Sequence, residues 1–174
     1  MIFKNISNFT NTTDYLPILN AAIITDLIVI IRLVLGYINS KTLKTWYNKY
    51  GVWSIIADVF SIIIGLIITR FIYPFIFTKY SIVKFCILAV FVQVTHDLLF
   101  AWFFQSISKG KSQILDTFKD YANELGPVIL LADALMMIST ILIGSLLASF
   151  SLNTNIIILI ISLYIIPYFL YSIH

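Results

Sequence analysis

Five long apolar runs occupy most of this chain, and they constrain its fold more than any other feature. They lie at roughly 17–38, 53–73, 81–104, 127–148 and 155–173, each close to the ~20 residues a helix needs to cross the hydrocarbon core of a bilayer. Composition agrees, with 60% hydrophobic and 11% charged residues and a mean hydropathy of +1.00. Soluble domains run near 45–50% apolar and about 25% charged, so a water-soluble core could not hide this much apolar surface. The expected architecture is all-α: a single transmembrane domain over 1–174, a helix bundle of about five spans. The first run is too long for a signal-peptide core and contains Asp26 and Arg32, so it reads as a span.

Punctuation fits that division. Pro17 and Pro127 fall at helix starts, where a missing N–H costs nothing. Pro74 is expected to stop the second span. Pro167 lies inside the fifth and predicts a kink. Residues 39–52 and 105–126 read as loops on one side of the membrane. They carry Lys41, Lys44, Lys49, Lys109, Lys111 and Lys119, against Lys4, Arg70, Lys79 and Lys84 on the other side. The positive-inside rule then puts the N-terminus outside. Within the second loop, Ile114, Leu115, Phe118, Tyr121, Ala122 and Leu125 share one helical face, and Gly126 supplies a stop. Residues 112–125 are therefore expected to form a short helix in the cytoplasmic interface. No internal repeat is expected.

The N-terminal tail carries three glycosylation sequons in succession, at Asn5, Asn8 and Asn11. A tail rich in Asn and Thr also makes such triplets by chance. The net charge of +3 suits membrane-flanking cations and gives no reason to expect a nucleic-acid partner. Cys86 is the single cysteine, which excludes a disulfide framework.

Polar residues are costly inside a bilayer, about 2.5–3.5 kcal/mol for a central charge even on the lenient insertion scale. Yet each of the first four spans holds one aspartate: Asp26, Asp58, Asp97 and Asp133. Gln93, His96 and Asp97 share a helical face. Arg32, Asp58, His96, Asp97 and Asp133 all fall in the half of their spans nearer the lysine-rich loops. The expected site is an intramembrane polar cluster of Arg32, Asp58, Gln93, His96, Asp97 and Asp133, with Arg32 paired to Asp58 or Asp97. Such a cluster either clamps helix register or forms a proton or ion pathway or a catalytic centre.

Signatures of known chemistries are incomplete. Gly110-Lys111-Ser112 ends like a phosphate-binding loop, but Gln105 stands where its leading glycine belongs and no strand is expected before it. His96-Asp97 suggests a metal-dependent phosphohydrolase, but the other histidine is His174, at the far end of the chain. No potassium-channel filter is present, Leu35-Gly36-Tyr37 being a chance fragment, and the last two spans hold no lysine for a retinal Schiff base. No catalytic residue, metal ligand or cofactor is implied.

The stretch His96-Asp97-Leu98-Leu99-Phe100, then Gly110-Lys111 and Leu115-Asp116-Thr117-Phe118-Lys119-Asp120-Tyr121-Ala122, with Asp133-Ala134-Leu135-Met136-Met137, resembles uncharacterised multi-span membrane proteins of large nucleocytoplasmic DNA viruses. The resemblance implies a viral origin and a place in a virion's internal membrane or a host endomembrane. The expected function is a structural or assembly component of such a membrane, contacting lipids, further copies of itself or other virion membrane proteins. The alternatives are a small ion channel or proton-coupled carrier using the acidic cluster and, third, a lipid-acting membrane enzyme.

Overall fold

The computed structural model describes residues 3–173; His174 lies outside them. A 3-10 turn at Thr12–Asp14 leads into α1 (Tyr15–Val34), followed by α2 (Lys41–Tyr50), α3 (Val52–Ile76), α4 (Ile82–Ser106), α5 (Gln113–Leu125), α6 (Val128–Leu147) and α7 (Leu152–Leu170). The five long helices α1, α3, α4, α6 and α7 are apolar enough to cross a membrane. The chain is an integral, multi-pass helix bundle.

Local sequence explains the boundaries. Pro17 falls in the first turn of α1, where backbone N–H groups have no helical partner. Pro74 does not end the second span: α3 runs on to Ile76, and the Phe77 N–H still reaches the Tyr73 carbonyl at 2.9 Å. So close to a helix end a missing donor removes one bond and little else. Pro167 lies inside α7, which continues to Leu170. The interfacial helix expected over 112–125 is present as α5, with Phe118 against Trp46, Phe100 and Phe104.

The 39–52 segment, expected to be a loop, contains helix α2. The Ser40 hydroxyl accepts the Leu43 N–H at 3.0 Å to start it, and Gly51 ends it at φ 55°. Leu43, Trp46, Tyr47 and Tyr50 lie on one face at helical spacing, a pattern masked by the interleaved lysines.

The spans alternate in direction, so α2 and α5 lie together at one end and the N-terminal segment lies at the other. α1 and α4 each pack between α3 and α6, closing a ring of four, and α7 lies against α1. Small residues bring α1 and α6 close: a Cβ on Gly144 would sit 3.4 Å from that of Ala21. The buried Asn20 amide donates to the Asn155 carbonyl at 2.8 Å, fastening α7 to α1. Val83, Ile87, Phe91 and Trp102 on α4 and Ile160, Tyr164 and Tyr168 on α7 project outward, as lipid-facing side chains do.

At the opposite end, the N-terminal segment folds back over the bundle. The Lys4 N–H donates to the Ser145 carbonyl at 3.0 Å, and Ile6 is fully buried beside Gly144. Arg70, which the sequence places among the flanking cations, is instead completely buried. Its Nη2 donates to the carbonyls of Asn8 and Asn11, lies 3.7 Å from Asp14 and is part of a guanidinium 4.5 Å from the Tyr15 ring centroid.

Candidate functional site: a carboxylate cluster beneath two amphipathic helices

The lysine-rich end of the bundle gathers acid from four spans. Asp26 on α1 is fully buried; Asp58 on α3, Asp97 on α4 and Asp133 on α6 are half-buried. The four are electrostatic neighbours: Asp26 with Asp58, and Asp133 with both Asp58 and Asp97. His96 lies 3.1 Å from Asp97, near Asp133 as well, and is half exposed.

The lid helices supply the donors. Tyr47 gives its hydroxyl to Asp26 at 2.7 Å, and Trp46 gives its indole N–H to Asp58 at 3.0 Å. Gln93 donates to Asp97 at 2.8 Å. Burial, then the charges of Asp26 and Asp58, push the Tyr47 phenol well above its ordinary range. Tyr121 on α5 is pushed up by burial, then by Asp133, Asp58 and Glu124. Both phenols therefore keep their protons at neutral pH, and Tyr47 serves the cluster as a donor.

Demand for donors exceeds supply. Among the described residues, Asp26 Oδ2, Asp97 Oδ2 and Gln93 Oε1 are buried without a hydrogen-bond partner. An unpartnered buried acceptor typically costs about 1–3 kcal/mol, and an uncompensated carboxylate in a low-dielectric interior takes up a proton or a cation. Among the described residues no three acidic, histidine or cysteine side chains converge closely enough to hold a metal ion.

The geometry revises the expected membership. Asp58, Gln93, His96, Asp97 and Asp133 are brought to one end, joined by Asp26 and by Trp46, Tyr47 and Tyr121. Arg32 is not brought in. Its side chain is exposed at the end of α1 and makes no ion pair among the described residues, so its expected pairing with Asp58 or Asp97 is absent. The cause is its place on the helix: Arg32 falls in the last turn, where a cation faces water and the negative end of the helix dipole. Sequence reasoning found the α5 half of the lid and missed the α2 half, because it read 39–52 as a loop.

The sequons lie at the other end. Asn5, Asn8 and Asn11 each accept both the N–H and the hydroxyl of the Ser or Thr two residues on. Asn5 and Asn8 are exposed, whereas the Asn11 amide is spent on Asp14 at 2.8 Å. A hollow of about 470 Å³, bordered by Phe9, Phe71 and Tyr80, also belongs to that end and is remote from the carboxylates.

Fold and site together define a polytopic helical membrane protein with a lidded acidic site. Compared with family models, with curated proteins and with solved structures, the chain matches none.

Proposed function

We propose that this bundle exchanges protons at its lysine-rich end and acts as a small proton-linked channel or carrier. One observation carries the reading: four spans contribute carboxylates to a site whose basic group is the half-exposed His96, while the fully buried cation, Arg70, is at the opposite end. A clamp that only fixed helix register would need one or two polar pairs with their partners satisfied. This site instead gathers four carboxylates around one histidine; it leaves oxygens of Asp26 and Asp97 unpartnered for protons to fit, as Asp14 Oδ1 is left at the opposite end. The groups facing it are Asp26 from α1, Tyr47 from α2, Asp58 from α3, His96 and Asp97 from α4, Tyr121 from α5 and Asp133 from α6.

The test is proton flux into liposomes holding the purified protein and a pH-sensitive dye, driven by an imposed potential. Asp26→Asn and Asp58→Asn should reduce flux strongly, and Arg32→Gln should leave it unchanged. Decay of the gradient no faster than in protein-free vesicles would remove the reading.

The setting is part of the proposal. The resemblance over residues 96–137 supports a resident protein of a viral internal membrane, and the lysine distribution supports an N-terminus outside. A structural or assembly role in the same membrane remains the second reading, favoured by the internal ties at both ends of the bundle. It calls for high abundance in purified particles and for tolerance of neutral replacements among the four aspartates. Asn5 and Asn8, whose amides are exposed, are the glycosylation candidates. A mobility shift removed by an endoglycosidase, and lost in Asn8→Gln, would report their use.

A further inference from the structure

The two lid helices start alike and end alike, although α5, with 13 residues, is three longer than α2, with 10. In α2, Ser40, Leu43, Thr45 and Trp46 follow one another at the same spacing as Ser112, Leu115, Thr117 and Phe118 in α5. Each serine accepts the N–H of its leucine, at 3.0 and 3.4 Å. Each threonine returns its hydroxyl to the carbonyl one turn back, Lys41 at 3.0 Å and Gln113 at 2.9 Å. The two aromatic residues meet, with ring centroids 5.1 Å apart.

The exits match too. Gly51 has φ 55° and ψ −130°, and Gly126 has φ 54° and ψ −133°, a region open essentially to glycine. Each glycine N–H closes its helix at 2.9 Å, on Tyr47 and on Ala122, and each glycine carbonyl starts the next span by accepting from Ser54 or Ile129. The interval from Gly51 to Asp58 equals that from Gly126 to Asp133. The interval from Asp26 to Ser40 is one residue shorter than that from Asp97 to Ser112.

Serine starts and glycine stops are common at helix ends, so neither alone would mean much. The packing of the spans and of α2 on α5 agrees with the likeness. Exchange α1 with α4, α2 with α5 and α3 with α6, and the main contacts map onto themselves. α1 against α6 becomes α4 against α3, α1 against α3 becomes α4 against α6, and α2 against α5 is unchanged. Since α1 and α4 run in the same direction, the relating axis lies along the membrane normal.

We propose that the chain is a tandem of two span–amphipathic helix–span units, α1–α3 and α4–α6, about a two-fold axis, and that the acidic site is their interface. Asp26 corresponds to Asp97 and Asp58 to Asp133, so each unit supplies one carboxylate pair. α7 stands outside the repeat. Membrane transporters built from parallel repeats place their sites at the repeat interface, and here the fully buried Asp26, with one oxygen unpartnered, and the buried Gln93 both face that junction. The two-fold site stands on geometry; that it exchanges protons rests on the function proposed above.

Two measurements on the full-length protein test it. In the liposome assay, Asp58→Asn and Asp133→Asn should both lower flux, and Asp26→Asn and Asp97→Asn likewise, although Trp46 and Tyr47 serve the first unit's acids and Gln93 and His96 serve Asp97 in the second. A pair in which one variant is inactive and the other unaffected would overturn the equivalence and leave the proton reading intact. Thermal unfolding in detergent reads the shared site without flux. The Asp58→Asn/Asp133→Asn double variant should shift the midpoint by an amount different from the summed single shifts, because two carboxylates in one site are coupled. Additive shifts would overturn the shared site. Non-additive shifts with no flux in the wild type would keep the site and end the proton reading.

Discussion

Tyr47 carries the heaviest single-residue role in the site. Its hydroxyl is the hydrogen-bond donor to a fully buried Asp26 whose other oxygen has none. Tyr47→Phe keeps the ring, which is itself 1% exposed, and removes only that donor. It should cost about 1–3 kcal/mol, the penalty for leaving a buried acceptor unpaired, read as a lower unfolding midpoint in detergent; an unchanged midpoint would show that Asp26 finds another partner. Arg70 is the corresponding residue at the other end. Arg70→Met leaves the buried Asp14 with the half-exposed Lys4, 3.8 Å away, and the Asn11 amide, and should cost up to about 3 kcal/mol, with faster proteolysis between residues 4 and 14 as the readout. The two residues differ in how visible they are in sequence. An aspartate in an apolar run announces itself, so all four carboxylates were legible. Tyr47 and Arg70 were not, because an aromatic beside lysines and an arginine near a span end look like ordinary interfacial residues. Only the chain folding back over Arg70 makes it a buried ion.

Between the elements, α5 holds α2 in place through one carboxylate. Glu124, in the last turn of α5, accepts the backbone N–H groups of Lys41 and Thr42 at 2.7 Å each, capping the first turn of α2 together with Ser40. Thr42 above all, with the Lys41 amide adding and burial opposing, holds the Glu124 carboxyl below its usual range. A carboxyl so lowered lends stability that is complete above the unfolded value, about 4.3, and is lost as the pH falls through the lower folded value. The clasp should therefore be indifferent to pH from neutrality down to about 5, and α2 should loosen only in stronger acid. Hydrogen exchange at Lys41 and Thr42 checks this, and Glu124→Gln should exchange quickly even at neutral pH. Protection that fell between pH 7 and 5 would show that a group other than Glu124 holds α2. The glycine corners make a second test at this scale. Gly51→Ala and Gly126→Ala impose the same unfavourable backbone at two open positions, so each should cost about 1–3 kcal/mol and the two should cost nearly the same. Element lengths and the α5 helix could be read from apolar periodicity. α2 could not, since its polar face is lysine-rich and its apolar face short.

The whole molecule is a bundle tied shut at one end by the N-terminal segment and lidded at the other by two amphipathic helices. Hydropathy alone specified the five spans, because lipid admits no other way to satisfy a backbone in runs of that length. The repeat was hidden for a physical reason: lipid-facing positions accept any apolar residue, so the two units keep their caps, corners and acids while the rest drifts. The same architecture sharpens the case for orientation. Arg70 is buried against Asp14 and no longer counts as a flanking cation. Lys4, Lys79 and Lys84 remain at the N-terminal end, against six lysines at the lid end, and the exposed Arg32 adds to the latter. Since cations near span ends determine which side is retained in the cytoplasm, the lid end should face the cytoplasm. Thr12 and Ser108 report the two ends, both exposed and neither part of the acidic site. In a Cys86→Ala background, Thr12→Cys should react with a membrane-impermeant maleimide applied to the non-cytoplasmic face of sealed membranes. Ser108→Cys should react only after the membrane is opened. Labelling of both from one face would contradict five spans, and labelling of Ser108→Cys alone would keep the spans and reverse the orientation.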